Sequence, residues 1–109
     1  MAVLEMGAEP LPLIVTLVEN ADFVCTIELY DPDDEEAAVD LDDHEFYLVF
    51  EDLSDYAGDK TNGAPATVAW NIPWETGLED IEDKRIGVYL KVVTGGVNFV
   101  WAKGEAVVQ

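Results

Sequence analysis

Asp31, Asp33, Asp34, Glu35, Glu36, Asp40, Asp42 and Asp43 crowd residues 31–43, and hard cations favour such carboxylate clusters. Asp31, Asp33 and Glu35 match the first three ligand positions of an EF-hand loop. Position six, however, is Glu36 where the sharp turn needs glycine, and position twelve is Asp42. A looser site from Asp40, Asp42 and Asp43 is the alternative, and a solvated charged loop is the simpler expectation. His44 is the only histidine and Cys25 the only cysteine, too few ligands for a structural zinc site within one chain.

Nucleophilic chemistry finds little to work with. Ser54 is the only serine and lies outside any nucleophile-elbow pattern. A Cys25–His44 pair would put the thiol on the core face of a strand, away from substrate. Carboxylates are too abundant to single out a glycosidase dyad. Gly95-Gly96 sits between strands instead of opening a helix, so it is no phosphate cradle. The expectation is a protein without catalytic residues, cofactor or metal. A sugar-binding surface would use Trp70, Trp74, Trp101 and the tyrosines. Trp70 and Trp101 share faces with aliphatic neighbours and read as core anchors. Trp74, after Pro73 at a strand end, is expected at the surface as an interfacial residue.

Charge placement restricts partners further. The first 59 residues carry 18 Asp and Glu and no Lys or Arg; the remaining 50 carry six acids and five bases. Phosphate contacts need cations, so this half does not bind nucleic acid, and it disfavours anionic membranes for the same reason. Three readings of the acidity remain: solvation in a high-salt setting, a basic protein partner, or mimicry of DNA. No apolar run approaches the roughly 20 residues of a membrane helix, and residues 1–12 lack a secretory signal's basic and apolar regions, so a soluble protein is expected. With a single cysteine, no intramolecular disulfide forms.

The elements that must carry these residues alternate with period two, as half-buried strands do. The organising stretch is Asp22 to Phe50. It has Phe23, Cys25, Ile27 and Leu29 on one face of a first strand, and Phe46, Leu48 and Phe50 on one face of a second. Cys25 is expected to behave as a small buried hydrophobe. Residues 1–10 form an arm, whose Val3, Leu4 and Met6 are candidates for contact with a neighbour. Residues 11–109 form one sandwich domain.

Leu11–Glu19 reads as a strand at least partly covered on both faces, paired through Asn20-Ala21 with Asp22–Tyr30 as an antiparallel hairpin. Glu45–Glu51 follows, then a loop, Asp52–Pro65, whose Leu53 and Tyr56 pack back on the domain. Ala66–Ile72 is a short strand directing Val68, Trp70 and Ile72 inward. Pro73–Lys84 allows one helical turn placing Leu78 and Ile81 together. Arg85–Thr94 and Val97–Ala102 make a hairpin around Gly95-Gly96, with a bulge expected at Gly104 before Ala106–Val108. About seven strands at this spacing favour an all-β, antiparallel, immunoglobulin-like sandwich with one short helical turn.

Two short motifs in this order of elements are similar to a known pattern: Val39-Asp40-Leu41 entering a strand, and Arg85-Ile86-Gly87-Val88-Tyr89 opening a late hairpin. Together with the strand Asp22–Ile27, they make residues 13–108 resemble the immunoglobulin-like N-terminal domain of tailed-phage baseplate upper proteins. The long acidic insertion and the missing C-terminal extension depart from that family. The resemblance implies a non-enzymatic virion protein of the tail, baseplate or capsid decoration, docking in multiple copies on other virion proteins. Val3, Leu4, Met6, Asp31, Asp33, Asp34, Glu35, Glu36 and Trp74 are the expected contact residues. The alternatives are an acidic DNA-mimic inhibitor and a carbohydrate-binding module.

Overall fold

The computed structural model describes residues 11–31, 33–51, 53–75, 78–81 and 84–109, the side chain of Asp80 excepted. They form an all-β protein of eight strands: β1 Leu11–Leu17, β2 Phe23–Leu29, β3 His44–Phe50, β4 Asp55–Ala57, β5 Asp59–Thr61, β6 Ala66–Ile72, β7 Arg85–Thr94 and β8 Val97–Val108. One sheet has the order β1-β8-β7-β3-β4 and the other the order β2-β6-β5. Pairing is antiparallel except between β1 and β8, which run parallel. The arm and its Val3, Leu4 and Met6 lie outside the described residues.

Alternation in the sequence becomes a core between the sheets. Phe46, Leu48 and Phe50 from β3 and Val88, Leu90 and Val92 from β7 meet Val68, Trp70 and Ile72 from β6. The Trp70 indole N–H would be costly to bury unpaired; it donates to the Tyr56 carbonyl at 2.7 Å. Leu53 and Tyr56 pack back as their composition suggests, the Tyr56 ring lying edge-on to Phe50 at 5.8 Å. The β7–β8 hairpin turns on Gly95 (φ 58°) and Gly96 (φ 82°), both in the left-handed region that two-residue turns demand.

Four expectations are corrected. First, β1 and β2 do not form a hairpin. The turn after β1 carries the chain to the other sheet, where β2 pairs with β6, while β1 joins the last strand. Second, β1 is covered on one face only: Val15 and Leu17 are buried, but Ile14 is 81% exposed. Third, the loop 52–65 contains β4 and β5, one in each sheet, while Val97–Ala102 and Ala106–Val108 are one strand, β8, so the count is eight. Gly58 makes that sheet-to-sheet step possible. A Cβ there would sit 2.4 Å from Val68 Cγ1 and 2.8 Å from the Trp70 ring. Fourth, the irregularity in β8 lies opposite Leu90 and Lys91, where the register skips Trp101, and not at Gly104. Trp101 is half-buried against the core, 6.3 Å from the Phe46 ring. Leu78–Asp80 form a three-residue 3-10 turn, which buries Leu78.

Candidate interaction site

Within the acidic connection each aspartate first serves its own backbone. Asp31, Asp34 and Asp40 accept hydrogen bonds from the N–H groups of Asp33, Glu36 and Asp42, each at 2.9 Å. These are the two-residue side-chain turns that aspartate favours. Asp31, expected in a solvated loop, is instead 3% exposed, whereas Asp33, Asp34, Glu35 and Glu36 are exposed.

The rest of the connection is pinned from below. Val39 and Leu41 are fully buried, and Val39 exchanges backbone hydrogen bonds with Gly63. The Asn62 side chain clasps the same segment, accepting from the Leu41 N–H at 2.7 Å and donating to Asp42 at 2.9 Å. The loop's far end is held by Lys60, the first cation in the chain. Its ammonium donates to the His44 carbonyl at 2.8 Å, to Glu45 Oε1 at 2.9 Å and to the Asp42 carbonyl at 3.2 Å. A tetrad of exposed carboxylates thus stands on an anchored base. Among the described residues no three or more His, Cys, Asp or Glu side chains gather where they could hold a metal ion.

The Cys25–His44 pair weighed for nucleophilic chemistry is divided between the sheets, Cys25 on β2 and His44 on β3. His44 Nδ1 lies 2.8 Å from the Thr94 hydroxyl. Cys25 lies opposite Trp70 in the β2–β6 ladder and is half-buried among apolar side chains, and this burial pushes its thiol pKa above the ordinary value.

Trp74 is also not where it was expected. It is buried, its backbone N–H donating to Asp22 Oδ1 at 3.0 Å, so its ring belongs to the core and not to a contact surface. A position after Pro73 at a strand end resembled an exposed tip. The Asp22 carboxylate, far away in sequence, turns it inward.

A feature that sequence reasoning missed is an apolar cleft of about 240 Å³ between β1 and β2, one edge strand from each sheet. Leu13 and Val15 line one side and Phe23, Cys25 and Ile27 the other, with Trp70 also in the lining. Exposed Ile14 on β1 and Val24 on β2 stand on the strands that flank it. The expected hairpin concealed this cleft. The signal available was the apolar Ile14 and Val18 on what proves to be an open face.

The molecule is therefore defined as an all-β domain with two sheets, an anchored acidic loop and an apolar cleft between two edge strands, β1 and β2. No family model, curated protein or solved structure matches the chain. No helix among the described residues is long and apolar enough to cross a membrane.

Proposed function

We propose that this chain is a structural protein of a tailed-phage virion, acting by docking in multiple copies on other virion proteins and not by catalysis. The observation that carries the reading is a pair of edge strands, β1 and β2, with large apolar side chains exposed on both: Leu11 and Ile14 on the first, Val24 on the second. Natural β-proteins normally protect such edges, because unpaired backbone groups beside apolar side chains invite another strand. Immunoglobulin-like topology is part of the proposal. It is supported by the strand order, in which the first strand joins the last in parallel while the second leaves for the opposite sheet. The exposed carboxylates suit a basic protein neighbour and repel nucleic acid and anionic membranes.

The test is co-sedimentation. In lysates of cells making the particles, antibody to this chain should follow intact virions through a density gradient and decorate them in electron micrographs. Signal found only in the soluble fractions would sink the proposal. A second reading, inhibition by mimicry of DNA, draws on the exposed Asp33, Asp34, Glu35 and Glu36. It predicts capture of a DNA-binding enzyme that is lost when these four are changed to Asn and Gln. The carbohydrate reading loses its surface aromatic with the burial of Trp74.

A further inference from the structure

We propose that the β1–β2 cleft is the seat for a strand supplied by a second copy of this chain, namely residues 1–10 of that copy. This rests on the assembly reading above and names its contact.

The β1 margin is chemically prepared for a strand. Leu17 accepts from the Gln109 N–H at 2.8 Å, and the Leu13 carbonyl also faces β8. Backbone direction alternates along a strand, so Leu13, Val15 and Leu17 point to β8 while Pro12, Ile14 and Thr16 point to the open side. Ile14 and Thr16 each present an N–H and a carbonyl there. Pro12 presents a carbonyl alone, which limits pairing to the part of β1 beside the cleft.

The cleft below that margin is apolar and larger than the ~150 Å³ cavity that accommodates a benzene molecule. The segment preceding Leu11 has the matching pattern. Ala2, Leu4, Met6 and Ala8 alternate with Val3, Glu5, Gly7 and Glu9, so a strand made from it offers one apolar face and one face carrying both acids. Its length suits the seven-residue strands on either side of the cleft.

A chain's own segment is badly placed to fill its own cleft. Residues 1–10 run directly into Leu11, the first residue of β1. To lie beside β1, the same copy's segment would have to reverse immediately before the strand and give part of its length to the turn, whereas a second copy's segment can lie along the whole margin. Ile14 at 81% and Val24 at 70% exposure mark the surface that this neighbour covers. Each copy then gives one strand and receives one, an arrangement that extends head to tail or closes into a ring.

Cys25 lies in the cleft lining and is the only cysteine, so the full-length chain carries its own reporter. The variant Met6→Cys, oxidised with diamide, should give reducible dimers and longer species in which peptide mapping joins position 6 of one copy to Cys25 of another. Mixing the M6C/C25A double variant with the unaltered chain should give the same link in heterodimers. An intramolecular 6–25 bond would mean that the chain's own segment fills the cleft. No such bond at concentrations where sedimentation shows oligomers would mean that another surface is used. Either result overturns the proposal, as does a chain that stays monomeric throughout. Leu4→Asp should weaken self-association by about ten-fold or more, with a melting temperature unchanged at dilutions where both chains are monomeric. Linkage without co-sedimentation on virions would sink the virion reading alone, and co-sedimentation without linkage would sink only the cleft.

Discussion

The Leu13 carbonyl oxygen occupies the space in which a side chain at position 104 would have to begin. A Cβ built on Gly104 lies 1.8 Å from that oxygen, and the obstructing atoms are all backbone. The parallel β1–β8 pairing, with Leu13 opposite Gly104, therefore depends on a missing methyl group. Gly104→Ala should force the strands apart and lower stability by about 2–4 kcal/mol, measured by urea unfolding. Amide exchange should accelerate in β1 and in the end of β8, while β3 and β6 keep their protection. Unchanged exchange in β1 would mean that the pairing does not need this glycine.

Gly58 makes a different prediction because its obstacles are side chains. Gly58→Ala brings a methyl group against Val68 Cγ1 and the Trp70 ring, at an expected cost of about 1–3 kcal/mol. Val68→Ala alone also costs stability, by opening a cavity in a fully buried position. Combined, the two changes should cost less than their sum, because the second removes what the first strikes. Strict additivity in the double-mutant cycle would show that the clash is relieved by backbone movement instead.

Strands whose partners are local in sequence, or whose pattern is strong, were legible. Ala66–Ile72 and Arg85–Thr94 match the structure end to end, because alternating apolar residues and Gly95-Gly96 are local signals. The partner of β1 was not legible. A turn such as Asn20-Ala21 reverses the chain equally well within one sheet or between two, and the deciding residue, Gly104, lies far along the chain. Gly104 does announce an irregularity in the sequence. Its physical reason is the close approach of another strand, not a bulge. The acidic loop was legible as charge but not as structure. Val39 and Leu41 anchor it, and apolar residues among eight acids carry too little periodicity to reveal that. Trp74 was misplaced because its neighbour Asp22 acts across the fold.

Lys60 joins the end of the acidic connection to β3, and magnitudes decide which of its bonds matters. The pair with Glu45 involves a carboxylate side chain that is 54% exposed, and such ion pairs contribute 0–1 kcal/mol. The bonds to the His44 and Asp42 carbonyls are charge-assisted, from an ammonium on a side chain only 23% exposed. Lys60→Met should cost about 1–3 kcal/mol, and Glu45→Gln less than about 1 kcal/mol. Raising salt from low to moderate concentration should leave most of this difference intact, because the carbonyl bonds are screened less than an exposed pair. Equal losses in the two variants would assign the role to the ion pair.

The Cys25 thiol offers a pH test with a definite sign. Burial among apolar side chains disfavours the thiolate and raises its pKa above the ordinary 9.0. The rate of alkylation by iodoacetamide follows the thiolate. In the native protein its midpoint should therefore lie above pH 9.0, and in urea it should return toward that value. Because the folded state binds this proton more tightly than the unfolded state, the associated stability is fully present below the unfolded pKa. It is lost as pH rises through the folded one. Native stability should fall across that alkaline interval, and Cys25→Ala should remove this contribution to the slope while leaving the neutral-pH fold intact. A native alkylation midpoint at or below pH 9.0 would place the thiol in water, and the cleft it lines would then be open to solvent instead of apolar.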